Sequence, residues 1–222
     1  RFLELVHDFI VFDAGVKKGP RHNQYFGIKA AQARIAKREG GIIWHTQGSG
    51  KSLTMVWLAK WIRERVTGSR VLIITDRVEL DQQIETVFKG VNEDIHRTKN
   101  GADLIESLNA SAPWLIGSLI HKFGGKGDDD NQASGAGTQA FIASIQKLPP
   151  DFKAKGDIYV FVDECHRTQS GDLHQAMTAL LPNAVFIGFT GTPLLKADKQ
   201  KSIEVFGRYI HTYKFDQAVR EG

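Results

Sequence analysis

Apolar and polar positions along the 222-residue chain change their spacing several times. The opening "RFLELVHDFIVF" carries apolar residues at 2, 3, 5, 6, 9 and 10, a period that predicts a short lead-in helix. "DAGVKKGPRHN" is rich in turn formers and reads as a link, so residues 1–20 are expected to be a lead-in helix and linker. "QYFGIKAAQARIAKRE" returns to a helical pattern, which Gly40-Gly41 ends. From there short apolar runs alternate with helical or mixed stretches. The runs are "GIIW", "RVLIIT", "APWLIGS", "DIYVFV" and "AVFIGF", and the helical stretches include 52–66, 77–89, 101–109 and 173–181. Apolar runs without polar alternation suit strands buried on both faces, and strand–helix alternation suits parallel pairing. The prediction is an α/β fold, a mostly parallel sheet covered by helices on both faces. "GGKGDDDNQASGAG" (124–137) has only alanines as apolar residues and reads as a mobile surface loop. No internal repeat is visible.

Composition narrows the class. Apolar residues at 41% and charged residues at 24% are ordinary for a soluble globular protein. The length suits one large domain or two small ones. Lys and Arg number 29 against 25 Asp and Glu, a net charge of +4, and the pI is near 9.1. That permits a polyanionic partner without requiring one, because the charge is not gathered in one block. The one cysteine, Cys165, excludes an intramolecular disulfide framework and suits a reducing, cytoplasmic setting. No apolar stretch approaches the roughly 18 residues that span a bilayer, and no signal peptide opens the chain, so no membrane partner is expected. The chain starts at Arg1 without methionine and stops just after a helix-like stretch, and reads as a piece of something larger.

Candidate chemistry sits at the ends of the apolar runs. "GGIIWHTQGSGKSLTM" is a strand, a glycine-rich turn and a helix, the context that a phosphate-binding P-loop needs. Backbone N–H groups from Gly48 to Lys51, with Thr46, Gln47, Ser49 and Gly50 shaping the turn, can converge on phosphate oxygens at the positive end of the helix. Lys51 supplies charge for the β- and γ-phosphates, and the Ser52 hydroxyl can ligate Mg²⁺. His45 stands where the strict pattern has glycine, at the strand end before the loop turns. A glycine-rich connection with a solvated lysine is the plainer alternative.

Hydrolysis needs a metal carboxylate and a group to polarise water. "DIYVFVDECH" places Asp163 and Glu164 where an apolar strand emerges, at the sheet edge that carries the P-loop. Asp163 is the candidate Mg²⁺ ligand and Glu164 the candidate base; an acidic strand-end turn is the alternative. Neighbouring Cys165 and His166 suggest a nucleophile–base pair or a zinc site. Sequence neighbours on a turn rarely face one another, and metal-ligand spacing is lacking, so Cys165 is expected to pack and His166 to couple the site to its surroundings. Thr190-Gly191-Thr192-Pro193 closes a further strand, as a γ-phosphate sensor or an ordinary turn.

In this order, these elements resemble the first motor domain of a superfamily 2 helicase or translocase, and more closely the motor subunit of type I restriction–modification enzymes. "IIWHTQGSGKSLTM", "VLIITDRVELDQQI", "FVDECHRTQSGDLH", "FIGFTGTPL" and "VFGRYIHTYKFDQAVREG" carry the likeness over about 21–222, and "WHTQGSGKS" is normal for that family. The resemblance implies a RecA-like P-loop domain over 21–207 and, over 208–222, the start of a connection to a second motor domain. It implies Mg-ATP as cofactor, Lys51 and Glu164 as catalytic residues, and Thr190, Gly191, Thr192 and His166 as coupling residues. Gln24 falls where such motors read the adenine edge, with a polar helix N-terminus as the alternative. Arg77, Ser118, His121 and Lys122 match segments that run along a DNA strand, with solvated surface positions as the alternative.

The implied activity is ATP-dependent translocation of double-stranded DNA before cleavage by a separate nuclease domain. The implied partners are methyltransferase and specificity subunits. No E-x-K nuclease strand is found, and Asp151-Phe152-Lys153 follows Pro149-Pro150 in a link. In such motors a second half, expected to lie outside this chain, brings the arginines that complete the ATP site, so the isolated chain is expected to bind ATP weakly and hydrolyse it poorly. A repair or RNA helicase of the same superfamily, and a non-catalytic domain that kept the fold, are the competing readings.

Overall fold

The computed structural model describes residues 2–75, 78–119, 142, 143, 145–149, 152–165, 177–192, 203–214, 217 and 219. Helix α1 (Phe2–Phe9) leads into strands β1 (Val11–Asp13) and β2 (Val16–Lys18), followed by α2 (His22–Ile35). Alternation then runs β3 (Gly41–His45), α3 (Lys51–Arg65), β4 (Ser69–Thr75), α4 (Val78–Gly90), β5 (His96–Arg97), α5 (Gly101–Asn109) and β6 (Leu115–Leu119). Strands β7 (Asp157–Val162), β8 (Val185–Thr190) and β9 (Tyr209–Tyr213) complete the described elements.

The seven-stranded sheet has the order β5-β6-β4-β7-β8-β3-β9, and its described pairings are all parallel. Every strand therefore ends at the same edge. Alternate residues of each strand feed opposite cores. Ile43, Val71, Ile73, Tyr159, Phe161, Ile187 and Phe189 meet α2, α3 and α4 on one face. Ile42, Leu72, Ile74, Val160 and Val162 meet Leu104 and Leu108 of α5 on the other. This two-sided burial explains why the strands read as continuous apolar runs. Helix α3 buries Thr54–Ala59 and Ile62, and so presents nearly its whole girth to protein.

The N-terminal link is an antiparallel hairpin of β1 and β2, fastened to the end of α4 by the Ala14 N–H to the Gly90 carbonyl at 2.9 Å. The segment expected to begin a connection at 208 holds a strand, Tyr209–Tyr213. Strand β9 pairs in parallel with β3, making the P-loop strand internal to the sheet. The predicted helix 173–181 is described over 177–181, of which 177–180 are helical. Loop 124–137 and Asp151 lie outside the described residues.

Buried Arg70, on β4, ties the lower half together. Its guanidinium donates to the carbonyls of Ser107 (2.7 Å), Ala110 (2.8 Å), Pro113 (3.0 Å), Lys155 (3.0 Å) and Leu108 (3.2 Å). Asn100 caps the other end of α5 by accepting from the Asp103 N–H at 3.0 Å.

Candidate active site

The turn after β3 carries two glycines in the left-handed region, Gly48 at φ 78° and Gly50 at φ 79°, which a side chain would strain. Gly50 is the N-cap of α3, and the helix begins at Lys51. Its first N–H groups have no carbonyl within the helix and favour an anion there. The N-terminus of α2 holds the loop from behind. Arg21 Nη1 donates to the Gly48 carbonyl at 3.3 Å, Asn23 Nδ2 to the Ser49 carbonyl at 3.5 Å and Gln24 Nε2 to the Gly50 carbonyl at 2.9 Å. Three successive carbonyls are thereby drawn to one side of the turn.

Gln24 serves both the helix terminus and the loop. It is buried at 3% exposure, and Oε1 accepts the Arg21 N–H at 2.8 Å while Nε2 serves Gly50. A Cβ at Gly50 would lie 2.4 Å from Gln24 Nε2, so this glycine is required by packing as well as by φ.

The sheet order puts β8 between β3 and β7, so the turn after β8 separates the P-loop from Asp163 and Glu164. Lys51 Nζ reaches across to Glu164 Oε1 at 3.9 Å. Glu164 has φ 47°, a left-handed conformation uncommon for a non-glycine residue and recurrent at functional sites. Asp163 is buried, with Oδ1 accepting the Glu164 N–H at 3.0 Å. The Thr192 N–H donates to buried Thr190 Oγ1 at 3.2 Å, closing the hydroxyl-rich turn. A Cβ on Gly191 would stand 2.9 Å from Lys51 Nζ and 3.4 Å from the Gln47 nitrogen. The three motifs thus meet at one edge. Left-handed glycines, a helix N-terminus, a lysine and a strand-end aspartate fit a Mg-nucleotide.

Gly191→Ala supplies a direct check. Because Gly191 meets only a flexible lysine tip and a backbone nitrogen, folding stability should change by less than about 1 kcal/mol. Displacing Lys51 should weaken binding of a fluorescent ATP analogue by about tenfold or more. Unchanged affinity in that titration would separate the turn from the nucleotide site.

Cys165 packs as expected. It is 3% exposed, and its N–H donates to the Phe189 carbonyl at 2.9 Å. Burial, with Glu164 and Asp163 close by, pushes its thiol well above the usual range, which removes the nucleophile reading. Among the described residues, potential metal ligands gather in threes at His7, Asp8 and Glu64, away from Cys165.

Ser118 is corrected as a phosphate contact. It is 1% exposed on β6, and its hydroxyl pairs with Thr98 Oγ1 at 2.7 Å. Arg77, His121, Lys122 and His166 lie outside the described residues. Arg21, Asn23, Gly27 and His211, which surround the loop, were missed by motif reading. Their signal was the unusually polar N-terminus of α2 and the histidine at 45.

Residues 23–222 match the family described as SWI2/SNF2 ATPase. The type I restriction enzyme SsaAORF53P endonuclease subunit of Staphylococcus saprophyticus is 32% identical over 82% of this chain and 18% of its own length. The type I restriction enzyme HindI endonuclease subunit of Haemophilus influenzae is 29% identical over 99% of this chain and 22% of its own length. The chain therefore spans about a fifth of these relatives. The Sulfolobus solfataricus SWI2/SNF2 ATPase core, solved with double-stranded DNA, superposes with a TM-score of 0.59 at 15% identity, over 90% of this chain and 36% of that one. That likeness bears out the mostly parallel, RecA-like fold. Among the described residues no helix is long and apolar enough to cross a membrane. Matched over nearly its whole length, and homologous to type I restriction endonuclease subunits, the chain belongs to the SWI2/SNF2 ATPase family.

Proposed function

We propose that this chain is the first half of an ATP-driven double-stranded DNA translocase, within the endonuclease subunit of a type I restriction enzyme. The observation that carries the reading is the convergence of Lys51, Glu164 and Gly191 at the end of three neighbouring strands. Backbone N–H groups of Gly48 to Lys51 hold the phosphates, and Ser52 and Asp163 hold Mg²⁺. The metal, when bound, neutralises charge on the phosphate oxygens. Phosphates carry more charge than one carboxylate and draw Lys51 away from Glu164. Glu164 is then left to orient and deprotonate a water. The Thr190–Thr192 turn, lying against Lys51 and Gln47, relays loss of the γ-phosphate, with His166 as its onward contact. Gln24 Oε1 keeps a second lone pair for the adenine amino group.

Arg77, His121 and Lys122 contact DNA phosphates in this reading, which suits a motor that ignores sequence. Methyltransferase and specificity subunits find the recognition site, and the motor acts with them in the cytoplasm. The likeness to restriction endonuclease subunits supports this assignment over a repair or RNA helicase.

The test measures ATP hydrolysis by the full-length polypeptide with duplex DNA, single-stranded DNA and RNA, and displacement of a triplex-forming strand from the duplex. Duplex DNA should stimulate most, and displacement should lag in proportion to distance. Stimulation by RNA alone, or turnover without displacement, rejects translocation on duplex DNA.

A further inference from the structure

The histidine in place of the first P-loop glycine is held by a chain of partners that ends on another strand. His45 is fully buried, with Asn23 Nδ2 3.4 Å from its Nδ1 and His211 Nδ1 2.8 Å from its Nε2. An amide NH₂ only donates, so Nδ1 of His45 accepts and Nε2 bears the proton. Nε2 then donates to His211, and the proton of His211 sits on its own Nε2. The two rings are edge-on, with centroids 5.1 Å apart.

Both ends of this chain reach the loop. Asn23 Nδ2 also lies 3.5 Å from the Ser49 carbonyl. The Thr46 N–H donates to the Tyr213 carbonyl at 3.0 Å, so β9 grips the loop through backbone as well. The space for the His45 ring is made by Gly27, where a Cβ would stand 2.9 Å from Cε1 and 3.1 Å from Nε2. Burial, with His211 and Lys51 adding to it, holds the His45 pKa down at about 3. Burial and the nearby His22 lower that of His211. Each ring therefore keeps one proton, and the chain keeps its direction.

We propose that His211 is a positioning residue of the nucleotide site, setting the place of loop Thr46–Gly50 through His45 and Asn23. A glycine at 45 makes no such bond. In this chain the shape of the phosphate cradle depends on an edge strand that the P-loop pattern does not include. The consequence for nucleotide binding rests on the proposed function; the consequence for loop order does not.

The experiment compares His211→Leu with His211→Asn, in which Oδ1 replaces Nδ1 as acceptor. Amide hydrogen exchange of residues 46–50 is read without nucleotide, and affinity is read with a fluorescent ATP analogue. His211→Leu should speed exchange of the loop and weaken affinity, each by about tenfold, the weight of one buried hydrogen bond. Exchange in β4 and β7 should not change, and His211→Asn should restore both readouts. Loop exchange like that of the parent in His211→Leu, or an Asn variant as impaired as the Leu variant, overturns the proposal. If His211→Leu opens the whole sheet, His45→Gly removes the same bond from the other side and is judged by the same loop exchange. A parent protein that binds no nucleotide refutes the proposed function, while the exchange readout still decides the role of His211.

Discussion

Lys51→Ala and Glu164→Gln, made in the full-length polypeptide, should each abolish ATP-dependent DNA cleavage, for separable reasons. Lys51 stands at the start of α3, against Gly191 and 3.9 Å from Glu164. Its removal deletes the cation that the phosphates need in both the ground state and the transition state. Binding and turnover should fall together, kcat by about 10²–10³-fold or more. Glu164→Gln keeps the shape but loses the charge and the base. Turnover should fall by about 10²–10⁴-fold. Nucleotide affinity should stay within about threefold of the parent, less than a tenfold step of 1.4 kcal/mol. Recognition-site binding and methylation, assigned to partner subunits, should survive in both. Cleavage persisting in either variant, measured on a circular substrate with one site, defeats the motor assignment. A Glu164→Gln protein that lost affinity as badly as Lys51→Ala would instead make Glu164 a ligand-binding group.

The parts of this site legible in the sequence are those whose chemistry is local. A strand, a turn with glycines and a helix must be contiguous to cradle phosphate, so residues 41–56 declare themselves. The two-sided sheet was equally plain, because strands such as β4 (Ser69–Thr75) are buried at every position. Strand β9 was not, for the opposite reason: "YIHTY" is an edge strand, mostly half-buried, and it carries polar residues through its middle. The support behind the P-loop was illegible because it is made of polar side chains meeting carbonyls. Arg21 and Asn23 look like an ordinary helix N-terminus until Gly48 and Ser49 are seen beside them. Ser118 misled in the same way. A serine in "GSLIHKF" suits a phosphate, and only the parallel β5–β6 neighbourhood, which brings Thr98 to its hydroxyl, shows that it is spent inside the protein.

Arg70→Met should destabilise the fold by about 3–5 kcal/mol, a large share of the roughly 5–15 kcal/mol that hold a domain folded. Arg70 is 3% exposed and the acceptors of its guanidinium are all carbonyls. Two of them, Ser107 and Leu108, lie in the last turn of α5, where unpaired carbonyls and the negative end of the helix dipole favour a cation. Burial lowers the Arg70 pKa, yet arginine starts so high that it keeps its charge. Methionine matches the length of the stem and removes every donor. Each carbonyl left buried without a partner costs about 1–3 kcal/mol. Leu108 retains the Lys155 N–H at 2.9 Å, and relief of a buried charge offsets part of the remainder, which holds the expected loss below the simple sum. Arg70→Lys keeps the charge without the planar fork, cannot reach five carbonyls, and should fall between parent and Met. Urea unfolding decides the matter. The midpoint should drop in the order Arg, Lys, Met with an unchanged slope. A Met variant within about 1 kcal/mol of the parent would mean that water replaces the guanidinium, and that α5 is held by Leu104 and Leu108 against the sheet rather than by its captured end.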